Sequence, residues 1–181
     1  PYKYPMVELF TGISFLSLYL TFGLSFIFAA YAILLSSLII VTVIDLEYKI
    51  IPDVITLPGI IIGLILSLFI LPIPFINSLL GILIGGGFFY LIALVSRGGM
   101  GGGDIKLIAM IGAFLGWEGT LVTILMGSLI GSIIGIALII TKKKKRRDPI
   151  PFGPFLALGA VISIFWGKDL LYWYMMIGHG R

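Results

Sequence analysis

Long apolar runs separated by short polar clusters organise this chain. No charged residue stands between Glu8 and Asp45, nor between Asp53 and Arg97, and each gap is about twice the ~20 residues that one helix needs to cross a bilayer. Each gap therefore predicts a helical hairpin. The runs are continuous in Leu and Ile, without the two-residue alternation of a membrane barrel, so strands are not expected. Gly23, the pair Pro72 and Pro74, and the stretch from Gly116 to Gly119 mark turns. They divide the chain into seven crossings: Met6 to Leu20, Leu24 to Asp45, Val54 to Leu71, Phe75 to Ser96, Asp104 to Leu115, Thr120 to Thr141 and Phe152 to Ile177. The predicted fold class is all-α, a polytopic membrane helix bundle forming one domain over residues 1–181. The first and fifth crossings look short. A dozen residues at 1.5 Å each cover only part of a ~30 Å hydrocarbon core, so the fifth must be tilted, enclosed by protein, or extended past Trp117.

Composition removes the soluble alternatives. Hydrophobic residues make up 60% and charged residues 11%, with a mean hydropathy of +1.20, against roughly 25% charged in soluble domains. In the seven-crossing arrangement Lys3, Lys49, Arg97, Lys106 and the run Lys142 to Arg147 share one face, leaving Lys168 and Arg181 opposite. The positive-inside rule makes the richer face cytoplasmic, so the chain is expected in the cytoplasmic (inner) membrane with that face inward. The basic run between two apolar spans reads as a topogenic anchor against lipid, and the net charge of +4 calls for no nucleic-acid partner. With no cysteine and one histidine, His179, the chain has neither thiol chemistry nor a histidine metal cluster. It opens at Pro1, and its first crossing lacks the marks of a signal peptide, so a preceding portion is expected.

Glycines fall at four-residue spacing in Gly59 and Gly63, Gly81 and Gly85, Gly112 and Gly116, and Gly127, Gly131 and Gly135, which predicts close helix packing. The cluster Gly98, Gly99, Gly101, Gly102, Gly103 differs, because it precedes Asp104 at a water boundary. It reads as a mobile loop carrying a carboxylate. The rival, a phosphate-cradling loop, lacks its terminal Lys-Ser or Lys-Thr.

The carboxylates are the chemistry. Asp45 and Glu47 end the second crossing, Pro52 and Asp53 open the third, and Asp104 opens the fifth, all at the same edge. Glu47 reads as a solvated loop acid and Asp53 as a helix cap. Asp104 stands out through its glycine-rich approach and Lys106 two residues later. Asp45 and Asp104 are the candidate pair for acid/base work. Helix dipoles, taken from each residue's own helix, predict Asp104 as the more ionised member and Asp45 as keeper of a shared proton.

Four stretches then carry a resemblance. DLEYKIIPDVITLP (Asp45 to Pro58) and GMGGGDIKLIAMIGAFLG (Gly99 to Gly116) resemble the two signature regions of the type IV prepilin peptidases, G-x-G-D intramembrane aspartyl proteases. YPMVELFTG (Tyr4 to Gly12) and IPFGPFLALGA (Ile150 to Ala160) resemble the start of that family's main membrane region and its last crossing. The resemblance implies removal of the basic leader from prepilins and pseudopilins at the cytoplasmic membrane surface. It implies Asp45 and Asp104 as the catalytic pair and Gly101 and Gly103 as motif glycines, their backbone freedom serving the loop. The family's cysteine-rich zinc-binding segment and the helix before it have no counterpart here, so zinc, S-adenosylmethionine and N-methylation are expected only with such a segment. No cofactor is implied in this chain. A small ion-coupled transporter or channel is the alternative, but its acids would lie near the midplane and its halves would repeat. Oligomeric state is not legible.

Overall fold

The computed structural model describes residues 3–96, 100–142 and 150–179. Arg97, Gly98, Gly99 and most of the basic run, 143–147, lie outside them, as do Pro1 and Arg181. The described residues form six helices: α1 (Lys3–Phe22), α2 (Phe26–Tyr48), α3 (Asp53–Phe69), α4 (Phe75–Val95), α5 (Gly102–Ile140) and α6 (Gly153–His179). Five are long and apolar enough to cross a membrane, and α3 is a shorter apolar helix. Large apolar side chains such as Val54, Phe69, Leu83 and Val95 are exposed around the outside, the surface expected of a bundle solvated by lipid rather than water.

The breakers act where the sequence places them. Gly23 has φ +61°, its N–H bonds to the Tyr19 carbonyl at 2.8 Å, and the Ser25 hydroxyl caps α2 by accepting from the Phe28 N–H at 3.1 Å. A left-handed glycine followed by a serine N-cap is an efficient helix-to-helix link. The first crossing is longer than expected: α1 begins at Lys3 and runs 20 residues, because Pro5 falls in its first turn, where the missing N–H is unused anyway. It packs on α2 through Phe15 against Phe28 and Phe22 against Tyr31.

Helix α5 is two arms. Gly116, at φ 70° and ψ −178°, interrupts it, and packing shows that the chain reverses there. A Cβ on Gly85 would lie 2.7 Å from a Thr120 methyl and 3.1 Å from an Ile108 carbon. In a straight helix those two residues would be ~18 Å apart. The first arm, residues 102–115, therefore runs antiparallel to α4, and the second, residues 117–140, returns along it. This gives the seven helical segments that the sequence predicts.

The first arm is also as short as predicted, and enclosure by protein resolves that. Every residue from Leu107 to Gly116 is buried. Gly59 seats Met110, Gly63 seats Ala113 and Phe114, and the backbones of Gly81 and Gly112 touch directly, so the four-residue glycine spacing becomes close helix approach. Helix α6 runs antiparallel to the second arm, with Gly127 against the Phe155 backbone, Gly159 against the Thr123 carbonyl, and the Ser163 hydroxyl donating to the Gly119 carbonyl at 3.0 Å.

Gly112→Leu should force α4 and the first arm apart and lower stability by at least about 2 kcal/mol. Gly87→Ala, whose new methyl meets nothing within 4 Å, should leave stability unchanged or slightly raised. Thermal unfolding in detergent micelles compares the two, and equal midpoints would contradict this packing.

Candidate active site

Four helix ends converge at one end of the bundle. Helix α2 stops just past Asp45 because Lys49 takes the left-handed conformation, φ 56° and ψ 38°, and returns its N–H to the Asp45 carbonyl at 2.9 Å. Helix α3 starts within four residues of that stop, with Pro52 as its extended N-cap at φ −70° and ψ 128°. The Pro52 carbonyl accepts from Ile55 and Thr56. Asp53 is thus the first helical residue rather than the cap that the sequence suggests. Its carboxylate instead meets the Lys106 ammonium at 2.6 Å, tying the start of α3 to the first turn of α5.

Asp104 lies three residues into α5 from its N-cap, Gly101. Its carboxyl accepts a hydrogen bond from the Gly101 backbone, the return contact that an acid at this position makes in a capping box. The helix begins inside the glycine cluster, earlier than the sequence suggests, while Gly98 and Gly99 lie outside the described residues. Among its described members, Gly102 and Gly103 are helical and Gly101 is extended at φ −73° and ψ 141°. None has a positive φ. What glycine supplies here is closeness: a Cβ on Gly103 would lie 2.7 Å from the Ile51 side chain, and one on Gly101 would lie 3.2 Å from the Asp104 carboxyl.

Asp45 is only 5% exposed, and its Oδ2 accepts the backbone N–H of Gly153, the first residue of α6, at 2.9 Å. Each aspartate therefore meets the N-terminal end of a helix, Asp104 on its own and Asp45 on α6. Reading each dipole from its own helix, as the sequence alone requires, misses this second helix, and the dipoles no longer separate the two acids.

The two carboxyls are close enough to feel each other's charge, and they line one cavity of about 380 Å³ with Lys49, Met100, Gly101, Ile150, Pro151 and Phe152. A water molecule's share of liquid is ~30 Å³, so the space admits a peptide group, its neighbours and a water. A second cavity of about 300 Å³, lined by Ser128, Gly131, Ser132 and Phe155, adjoins it through Ile150 and Phe152. Of the seven residues singled out from the sequence, Asp45, Asp104 and Gly101 line the first cavity. Gly103, Pro52, Asp53 and Lys106 stand behind it as packing and ties. Sequence reasoning missed Lys49 and the segment 150–153, although both lie inside stretches that carry the family resemblance. Among the described residues no group of three or more His, Cys, Asp or Glu side chains is placed to hold a metal ion.

Apolar helices crossing a membrane, with a paired-carboxylate cavity at one end, define the class of the protein. The family model described as the type IV leader peptidase family matches residues 32–136, which include both aspartates. The chain is 35% identical over 182 residues to a "Prepilin leader peptidase/N-methyltransferase" of Aeromonas salmonicida (strain A449), covering 96% of this chain and 61% of the relative. A protein of the same description from Pseudomonas aeruginosa is 37% identical over 180 residues, with coverages of 96% and 61%. A third, from Legionella pneumophila, is 36% identical over 184 residues, with coverages of 96% and 62%. The chain belongs to the type IV leader peptidase family, and it spans about three fifths of the length of these relatives. No solved structure matches it.

The Asp53–Lys106 pair is about half exposed, 54% and 39% for the two side chains, so solvent screens it. Lys106→Ala and Asp53→Ala should each cost under about 1 kcal/mol, and the swapped pair Asp53→Lys with Lys106→Asp should recover part of that. A double-mutant cycle of thermal stability measures the coupling, and zero coupling would mean that the tie contributes nothing.

Proposed function

We propose that this chain is a membrane aspartyl endopeptidase that removes the basic leader peptide from type IV prepilins and pseudopilins. The observation that carries the reading is the meeting of Asp45 and Asp104, 59 positions apart in sequence, in one cavity at one end of the bundle. The relatives' names, which specify prepilin leader peptidases, support the prepilin part of this reading. The excess of Lys and Arg at this end supports a cytoplasmic orientation in the inner membrane. A leader carrying positive charge would stay on that side, its cleavage point reaching the cavity where the following apolar helix enters lipid.

The chemistry needs two carboxyls in different protonation states. Like-charge repulsion keeps one proton on a close pair, so the dyad titrates as a unit. The ionised member takes a proton from water as the water oxygen bonds to the scissile carbonyl carbon. The protonated member donates to the carbonyl oxygen. Collapse of the tetrahedral intermediate breaks the C–N bond, and the leaving amine takes up a proton from the dyad. No step calls on a metal or on S-adenosylmethionine. The Asp53–Lys106 tie and the Gly103–Ile51 contact act at one remove, fixing the first turn of α5 and with it the reach of Asp104.

Asp45→Asn and Asp104→Asn should each abolish cleavage while the protein still elutes as a folded species, whereas Glu47→Gln should be mild. Incubation of the purified chain with a prepilin, followed by mass measurement of the product's amino terminus, tests this. Near-normal cleavage by either asparagine variant would refute the dyad. In the same assay Gly103→Val should stop cleavage, because its Cβ drives against Ile51, while Gly102→Ala, with nothing within 4 Å, should be tolerated.

A further inference from the structure

The contact between Asp45 and α6 has a second side. Gly153 reaches Asp45 across 108 positions of sequence and donates in a buried environment. A side chain at 153 has room only if the Asp45 carboxyl moves: a Cβ would lie 2.7 Å from Asp45 Oδ2, 3.3 Å from its Cγ and 3.4 Å from Ile51 Cδ1. Helix α6 cannot retreat to make room. Its next turns rest backbone to backbone on α5, at Gly127 against Phe155 and at Gly159 against Thr123, and Ser163 bonds to the Gly119 carbonyl. The residues just before Gly153, from Ile150 to Phe152, line the cavity itself. Among the described residues, the charged groups that line the cavity with Asp45 are Asp104 from α5 and Lys49 from the end of its own helix.

We propose that Gly153 is a positioning residue for the reaction: its backbone N–H holds the Asp45 carboxyl in place against Asp104, and its missing side chain lets the N-terminus of α6 approach that closely. The proposal rests on the reading of Asp45 as catalytic. It makes α6, which the signature stretches around the two aspartates do not include, part of the working geometry. The N–H donor favours the anion of Asp45. Losing it raises the carboxyl's hold on its proton, so a higher pH is needed to ionise it.

Two variants separate space from hydrogen bond. Gly153→Ala keeps the N–H and adds the Cβ. Gly153→Pro also removes the donor, at a first helical position that proline suits. With the full chain in detergent and a prepilin as substrate, Gly153→Ala should lower kcat by at least about tenfold with KM within about threefold. Gly153→Pro should lower kcat further and move the acid limb of the pH profile up by about one unit. Wild-type kcat and an unmoved acid limb in both variants would overturn the proposal. A second arm needs no turnover: in the Asp104→Asn background, isotope-edited infrared titration reads the Asp45 carboxylate on folded protein. It should ionise at higher pH when Gly153→Pro is added, and identical titrations would overturn the proposal. That arm reads the carboxyl directly, so failure of Gly153 to hold it is distinct from failure of Asp45 to catalyse. Unimpaired cleavage by Asp45→Asn would expose the latter and sink the proposal with it.

Discussion

A helical arm too short for the bilayer governs this structure. Fourteen residues at 1.5 Å each give about 21 Å against a ~30 Å core, so the first arm of α5 would leave backbone ends in hydrocarbon if lipid surrounded it. Unsatisfied backbone groups there cost several kcal/mol each. Burial of every residue from Leu107 to Gly116 removes that exposure. The neighbours that bury it must come within backbone contact, which is why glycine faces it from α3 and α4. The site depends on this enclosure, since Asp104 rides on the enclosed arm.

The carboxyls themselves are served by backbone. Each accepts an N–H from the residue at the mouth of a helix, Gly101 for Asp104 and Gly153 for Asp45. A main-chain donor has no rotamer to lose, and the helix behind it is held along its length. The outer ties follow another logic. The Lys106–Asp53 pair lies in partial solvent, where an ion pair contributes little energy, and what it fixes is the relative placement of two helix starts. A polar site is thus built in an apolar bundle with few polar side chains.

Much of this was legible in the sequence because lipid imposes simple rules. Charge-free gaps gave the hairpins, glycine spacing gave the packing, and the acids at the ends of apolar runs gave the pair. The last two glycines before Asp104 were read as loop although they are helical, since a run of glycines looks alike whether it supplies freedom or closeness, and at Gly103 only the position of Ile51 shows that it is closeness. Lys49 was read only as one of the topogenic charges, because a lysine closing a helix in the left-handed conformation has no sequence mark comparable to glycine. The Gly153–Asp45 bond was beyond reach altogether: it joins residues 108 positions apart, and a backbone donor carries no side-chain signature.

The break at Gly116 also makes the first arm a ruler. One end is set by the reversal, where Gly116 is wedged near Asn77 and Ile73, and the other presents Asp104 twelve residues away. Adding or deleting one residue between them would slide the carboxyl by about 1.5 Å and swing it about 100° around the helix axis, away from Asp45 and out of register with every glycine notch at once. Side chains along the arm are free to vary within the shape of those notches. Its residue count is not, and length rather than composition is the quantity that this part of the chain must keep.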